Sequence, residues 1–293
     1  MRKQAVLCGV LVTFVCGSAG AIAQAPVRPT GNFGGGALAA PPKKLFGPGN
    51  LVIGLRALPE RRLEIEATVR GKCAGGDIQV ATKTKADGSF EADGSTSQTP
   101  GEGEKVKTTY TLAGSFTSER AVQGTISATL VKTSDGAKRQ TCKSGKIKFS
   151  ARRPNGELGA RDVRPRAAYF GVTAQRSTGP RRPIVIRLSG DRRRISRALF
   201  GEQVTCSDRK RSIGLEAPRT NIAIDSKGRV SDHETDKIDN GQTLTHIDDR
   251  FTATIGRTGA KGTFSLSDRT IDKLSGNVIQ SCRSGTIKWT AAP

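Results

Sequence analysis

The stretch QTCKSGKIKFSA at residues 140–151 returns as QSCRSGTIKWTA at residues 280–291. Both copies hold a cysteine, a Ser-Gly pair, and then a run with apolar side chains at every second position. A period of two is typical of a β-strand that buries one face. The match therefore predicts that each half of the chain ends in the same kind of strand.

Further matches lie upstream and keep the same order along both halves. They pair residues 124–127 with 262–265, 88–90 with 228–230, 51–55 with 184–188, and Cys73 with Cys206. Shared composition alone would not reproduce ordered matches, so we interpret the chain as an internal duplication.

The N-terminal residues have the pattern of a secretory signal peptide. Arg2 and Lys3 precede a short apolar run, and the small residues Ala-Ile-Ala at 21–23 supply the cleavage site. No apolar stretch approaches the roughly 20 residues of a membrane helix. We expect an exported protein with no membrane span, organised as signal peptide 1–23, loose leading segment 24–44, first β unit 45–150, Arg/Pro/Gly linker 151–166 and second β unit 167–293.

Strand patterns and turn residues fill both units. Ile184, Ile186 and Leu188 alternate with other side chains, and Gly, Asn and Asp recur about every ten residues. Asn240-Gly241 predicts a two-residue hairpin turn, with Asp239 paired to Gln242. The sequence predicts an all-β protein of two tandem antiparallel β-sandwich or up-and-down barrel units.

Four cysteines remain once the signal peptide is removed: Cys73, Cys142, Cys206 and Cys282. Export places them in an oxidising compartment, which favours disulfides. The duplication favours one bridge inside each unit, Cys73–Cys142 and Cys206–Cys282, each worth about 4 kcal/mol in the chain-entropy model. The alternatives are crossed pairing between the units and a zinc site, although the chain has no Cys-x-x-Cys motif.

The second unit, with Tyr169-Phe170-Gly171 near its start and its terminal Cys-x-Ser-Gly-x-Ile-x-Trp-x-Ala strand, resembles secreted bacterial β-domain proteins. The first unit fits the pattern less well, since it has Asn32-Phe33-Gly34 and Phe149 at the matching places. The resemblance implies a secreted β-fold, and it implies no activity, cofactor or site residues.

Signatures of catalysis are missing from the sequence. It has no nucleophile elbow, metalloprotease motif, phosphate loop or dinucleotide-binding motif. The glycines at 34–36 lack the Lys-Ser/Thr of a phosphate loop, and we interpret them as linker. We therefore predict a non-enzymatic protein with no catalytic residues and no cofactor.

One hairpin face brings His233, His246 and Asp248 together in the predicted register, with His233 opposite Asp248. Two imidazoles and a carboxylate can hold a transition metal or form a pH-sensitive cluster. The simpler interpretation is a solvated hairpin face, and the first unit has no histidine there. A hydrolase would depend on these same side chains.

Positive charge is the strongest functional signal. The chain carries 48 Lys and Arg against 26 Asp and Glu, a formal net charge of +22, while only 4% of residues are aromatic. Basic clusters bind polyanions through counterion release, whereas scarce aromatic residues disfavour sequence-specific nucleic-acid recognition. The candidate polyanion-binding residues are Arg192, Arg193, Arg194, Arg209, Lys210 and Arg211.

These observations predict an exported binding or structural module, acting at the cell envelope or outside the cell. Its expected partners are anionic envelope polymers, acidic glycans or lipid headgroups. The alternative function is a small-molecule carrier with a ligand cavity inside a β-barrel unit. A third interpretation is that the arginines serve solubility alone.

Overall fold

A computed structural model describes residues 29–38, 49–99, 103–135, 139–175, 179–208, 211–215 and 219–293, with only the backbone for 211–215. The regular secondary structure of the described residues is almost entirely β-strand, in two antiparallel sheets. The predicted fold class is confirmed. No helix in these residues is long and apolar enough to cross a membrane.

The first unit is an eight-stranded barrel-like sheet. Each strand pairs with a neighbour in sequence except across β4 and β5, and the first strand also pairs with the last. The strands are β1 (Gly31–Ala37), β2 (Leu51–Ala57), β3 (Arg62–Arg70), β4 (Gly75–Lys83), β5 (Ser89–Gln98), β6 (Glu104–Ser118), β7 (Ala121–Ser134) and β8 (Gln140–Arg152), with a 3-10 turn at Pro59–Arg61.

The interior of the first unit is filled by alternating apolar side chains. Along β3, Leu63, Ile65, Ala67 and Val69 are buried while the residues between them are not. They join one cluster that spans all eight strands and includes Phe33. Burial of one face per strand is what the period of two predicted.

Strand β1 corrects the predicted segment bounds. We expected a loose leading segment at 24–44, yet Gly31–Ala37 is a strand between β2 and β8. Its glycines fit the closeness of the neighbouring chains: a Cβ at Gly35 would lie 2.0 Å from the Ser150 carbonyl oxygen. The glycines at 34–36 therefore form a closely packed strand and are not a linker.

The second unit has ten strands and a related order. Strand β17 pairs with both β11 and β16, and β13 pairs with β11. The strands are β9 (Ala168–Thr173), β10 (Pro183–Leu188), β11 (Arg194–Cys206), β12 (Arg211–Leu215), β13 (Ile222–Ala223), β14 (Arg229–Asp239), β15 (Thr243–Ile255), β16 (Ala260–Asp272), β17 (Val278–Arg283) and β18 (Ile287–Ala292).

Aromatic side chains form the centre of the second core. The Phe251 ring stacks on Trp289 with centroids 5.5 Å apart, and Phe200 stacks on Phe264 at 5.0 Å. Tyr169 is buried beside them, and its hydroxyl donates to the carbonyl oxygen of Gly256 at 2.8 Å. Burial raises the Tyr169 pKa to about 12.

Equivalent strand pairings refine the match between the units. Gly35 pairs with Ala151, and Gly171 pairs with Ala291. Counting from these glycines, the buried ring of Phe33 corresponds to that of Tyr169. The sequence pattern pairs Phe33 with Phe170, so the structure shifts this match by one position. The duplication itself stays a prediction.

Both predicted disulfides are confirmed. Cys73 bonds to Cys142 in the first unit, and Cys206 bonds to Cys282 in the second. Each bridge joins two parts of the chain that are distant in sequence, which limits the freedom of the unfolded chain.

The two units pack against each other through β1 and β2 of the first unit and β9, β10 and β11 of the second. Val52 from the first unit and Val185 and Leu199 from the second form a small buried cluster, with Phe170 against it. A Cβ at Gly34 would lie 1.8 Å from the carbonyl oxygen of Gly171. The backbones therefore meet at this junction with no room for a side chain.

Candidate functional site

The predicted arginine cluster is described only in part. Arg192 and Arg193 lie in the turn between β10 and β11, Arg194 is the first residue of β11, and all three are exposed. Arg209 and Lys210 lie outside the described residues, and only the backbone of Arg211 is described, in β12.

Local hydrogen bonds hold the β10–β11 turn in shape. The Asp191 carboxylate accepts from the backbone N–H of Arg193 at 3.1 Å and from the Ser189 hydroxyl. These hydrogen bonds, the Ser189 bond above all, lower the Asp191 pKa. The Arg194 guanidinium donates to the side-chain oxygen of Asn221 at 2.8 Å. The turn thus presents three cations from a fixed backbone.

A second group of arginines lines a cleft between the units, which we call the arginine cleft. Its volume is about 430 Å³, and Asn155, Ala167, Tyr169, Thr258, Ala292 and Pro293 contribute to its walls. The five arginines that line it are Arg120, Arg152, Arg153, Arg164 and Arg257.

Four separate segments bring these arginines together. Arg120 lies in the β6–β7 turn, Arg152 ends β8 and is followed by Arg153, Arg164 belongs to the connection between the units, and Arg257 lies in the β15–β16 turn. The Asp162 carboxylate lies 3.4 Å from the Arg257 guanidinium. The walls themselves hold five cationic side chains and no carboxylate side chain among the described residues.

The Arg152 side chain is half-buried in this cleft. Its Nε donates to the carbonyl oxygen of Pro293 at 2.9 Å. Its Nη1 is buried and has no hydrogen-bond partner among the described residues. Burial lowers the Arg152 pKa because it disfavours the charged form.

Arg153 is held at the rim by the first unit. Its Nη1 donates to the carbonyl oxygen of Thr30 at 2.6 Å, and its guanidinium lies 5.9 Å from the centre of the Phe33 ring. This position is fixed by the same strand region that forms the junction.

The connection between the units links the arginine cleft to the β10–β11 turn. The Arg166 backbone N–H donates to the Ser189 carbonyl at 3.2 Å, and the Leu188 N–H donates to the Ala167 carbonyl at 2.9 Å. A Cβ at Gly190 would lie 3.6 Å from Arg166 Nε, so this side chain lies over the turn. We name the combined surface the basic track: Arg120, Arg152, Arg153, Arg164, Arg166, Arg192, Arg193, Arg194 and Arg257.

Sequence reasoning missed the arginine cleft because its residues are far apart in the chain. The linker was already notable for its arginines, among them Arg152, Arg153 and Arg164. Arg120 and Arg257 gave no signal, since each is a lone cation in a short turn. Only the packing of the units brings them to one place.

The predicted histidine hairpin has a different register. Asp239 pairs with Leu244 and not with Gln242, so His233 lies opposite Arg250 and Asp248 lies opposite Thr235. The Asn240 N–H donates to the Thr243 carbonyl, which places Gly241-Gln242 at the centre of the turn, with Gly241 at a φ of 80°. A left-handed φ at the first central residue suits glycine, which explains the shift.

The shift by two residues leaves the three side chains on one face. His233 Nε2 lies 2.8 Å from an Asp248 carboxylate oxygen, and this hydrogen bond lowers the Asp248 pKa. His246 pairs with Lys237 instead. Among the described residues, no group of three or more His, Cys, Asp or Glu could hold a metal ion.

Acidic side chains near this hairpin form ion pairs with a buried arginine. The Arg219 side chain is only 3% exposed, and it pairs with Asp232 and Asp249, with Glu234 at 3.9 Å. A buried guanidinium needs such partners because desolvation of an unpaired charge is costly. These carboxylates therefore have a structural role.

No protein-family model, curated protein or solved structure matches this chain. The resemblance to secreted bacterial β-domain proteins stays a prediction.

Proposed function

We propose that this protein is an exported, non-enzymatic binding module that holds anionic polymers along the basic track, at the cell envelope or outside the cell. The observation that supports the proposal is the continuity of the track. Arg164 in the arginine cleft and Arg166 over the β10–β11 turn belong to one short segment. A linear polyanion gains affinity from each phosphate, sulfate or carboxylate neutralised along such a path.

The aromatic side chains argue against base recognition. Every described Phe, Tyr and Trp is buried except Phe170, which is half-buried against the junction cluster. Stacking on nucleic-acid bases needs exposed aromatic faces. The proposed ligand is therefore a polymer bound through its charges and not through its bases.

The carrier alternative has less support. A carrier needs an enclosed apolar cavity with a few polar groups. In the first unit, the inward positions are occupied by one continuous cluster of side chains that includes Phe33, Ile53, Leu112 and Phe149. We therefore place binding at the surface of the units.

Two columns of matched charge density test the proposal: one carries an acidic polysaccharide and the other a sulfonate cation exchanger. We expect elution from the polysaccharide at clearly higher salt. The triple variant R192Q/R193Q/R194Q should lose most of that difference, whereas K105Q/K107Q/K146Q, with three exposed lysines of the first unit, should keep it. Equal elution salt on both columns would contradict the proposal.

A further inference from the structure

The arginine cleft has the properties of a site for one discrete anionic group. We propose that it binds a single phosphate group, with Arg152 as the anchoring residue. This inference rests on the proposed function, because the phosphate would belong to a ligand of the basic track. It goes further by naming the chemical group and the position at which that group binds.

Arg152 is oriented before any ligand arrives. The hydrogen bond from its Nε to the Pro293 carbonyl, at 2.9 Å, fixes the plane of the guanidinium. Its Nη1 is buried with no partner among the described residues. A buried donor of this kind is satisfied by an acceptor oxygen, and an anionic oxygen also compensates the buried charge.

The number of cations favours a highly charged ligand. Arg120, Arg164 and Arg257 are exposed and Arg153 is half-buried, so four further guanidinium groups border the space beside Arg152. A phosphate monoester carries about −1.5 to −2 charges at neutral pH and three acceptor oxygens. A guanidinium forms paired hydrogen bonds with carboxylate and with phosphate alike. Phosphate carries more charge and more acceptor oxygens than a monocarboxylate, so it can satisfy several of these arginines at once.

The dimensions of the cleft restrict the ligand to a group with its immediate carrier. About 430 Å³ lies within the usual range of small-molecule sites. Such a volume accepts a phosphate and an attached sugar-sized unit. A polymer would therefore place an end or a side group in the arginine cleft, while the rest of its chain follows Arg166 toward the β10–β11 turn.

Isothermal titration of the full chain with inorganic phosphate, at constant ionic strength, tests the site. We expect binding of one phosphate per chain, at least tenfold tighter than acetate under the same conditions. Arg152→Gln should weaken phosphate binding at least tenfold. Arg283→Gln, an exposed arginine on β17 outside the basic track, should leave it unchanged.

A second variant keeps the test valid if Arg152→Gln does not fold. Arg257 is exposed in a turn, so Arg257→Gln should keep the circular dichroism spectrum and still weaken phosphate binding several-fold. Glucose 6-phosphate and tripolyphosphate then present the group on a sugar and on a short phosphate chain. Binding of either that depends on Arg152 supports the site, and binding of glucose 6-phosphate more tightly than inorganic phosphate would show that the attached sugar also contacts the cleft.

The outcomes separate this inference from the proposed function. Equal affinity for phosphate and acetate, or phosphate binding that survives both Arg152→Gln and Arg257→Gln, overturns the phosphate site. If the polysaccharide column still retains the protein in that case, the proposed function stands without it. Loss of preferential retention together with absence of phosphate binding overturns both.

Discussion

Arg182 of the second unit donates a hydrogen bond to the carboxylate of Glu66 in the first, and the two side chains are 7% and 20% exposed. This ion pair lies at the junction, near the Arg181 backbone N–H that donates to the Asn32 side chain at 3.0 Å. The units are therefore joined by specific polar contacts as well as by the apolar cluster at Val52 and Val185.

Removal of one partner of this pair should destabilise the junction. Glu66→Gln leaves the Arg182 guanidinium buried beside a neutral group, and we expect a loss of roughly 2–3 kcal/mol in the free energy of unfolding. Urea denaturation measures it. Glu91→Gln breaks the exposed Lys85–Glu91 pair and should cost less than about 0.5 kcal/mol. If both variants lose the same free energy of unfolding, burial does not make the Arg182–Glu66 ion pair stronger than an exposed one.

Close backbone packing makes Gly34 a sensitive position. The added Cβ of Gly34→Ala would overlap the Gly171 carbonyl oxygen, 1.8 Å away, and force the units apart. We expect a loss of roughly 3 kcal/mol, at the upper end of the usual cost of overpacking. Thermal unfolding measures the loss, and limited proteolysis of the connection at 153–167 should become faster.

Gly75→Ala is the matched control, because a Cβ there would meet only the end of the Arg70 side chain at 3.7 Å. Its stability should stay within about 0.5 kcal/mol of the unaltered protein. A Gly34→Ala variant as stable as this control would mean that the units do not pack through their backbones.

Much of the fold could be predicted from local sequence signals. The alternation along residues such as Ile184 and Ile186 identified buried strand faces, and the repeated cysteine positions identified the disulfide pairs. Strand β1 could not be recognised because a strand of glycines has no alternating side chains. Its identity depends on how close Ser150 and Leu51 lie to it, which is a tertiary property.

The site was less predictable than the fold. Arg192, Arg193 and Arg194 are adjacent in sequence, so the sequence alone predicts that they lie together. The arginine cleft required knowledge of which turns meet, because Arg120 and Arg257 lie in different units and are far apart in the sequence. The predicted register of the β14–β15 hairpin was wrong by two residues. Both Asn240 and Gly241 are acceptable at the first central position of the turn, and only the backbone conformation distinguishes the two registers.

The gap between β4 and β5 gives a prediction on local stability. Their backbones form no ladder in the described chain, and the side chains of Gln98, Thr82 and Thr96 bridge them. Gln98 accepts from the Asp77 N–H and donates to the Gly75 carbonyl, both at 3.1 Å. It thus replaces two strand-to-strand hydrogen bonds.

Gln98→Ala should weaken the contact between β4 and β5. We expect a loss of about 1–2 kcal/mol, because two backbone groups lose their partner. Hydrogen exchange should quicken at Asp77 in particular, which amide-resolved mass spectrometry or NMR detects. Gln79→Ala on the outward side of β4 is the control. Unchanged hydrogen exchange at the Asp77 amide would mean that the Gln98 side chain does not hold β4 and β5 together.

Asp268 on β16 gives a prediction with a defined pH dependence. Burial raises its pKa above the ordinary value, although a backbone hydrogen bond from Cys282 acts in the opposite direction. In the folded protein the ionised form is therefore disfavoured. The resulting loss of stability is absent when the Asp268 carboxyl is protonated in both the folded and the unfolded state. It develops as the pH rises through the interval between the ordinary pKa of about 3.9 and the raised value.

Asp268→Asn removes that penalty and keeps an oxygen that can accept from the Cys282 N–H. The variant should be more stable than the unaltered protein at pH 7, and the gain should vanish below about pH 3.9. Urea denaturation across pH 3 to 8 measures both limits. Asp248→Asn should behave in the opposite way, because its hydrogen bond to His233 lowers the Asp248 pKa. Its stability cost should be present near neutral pH and disappear in acid. A gain for Asp268→Asn that persists unchanged in acid would rule out ionisation as its cause.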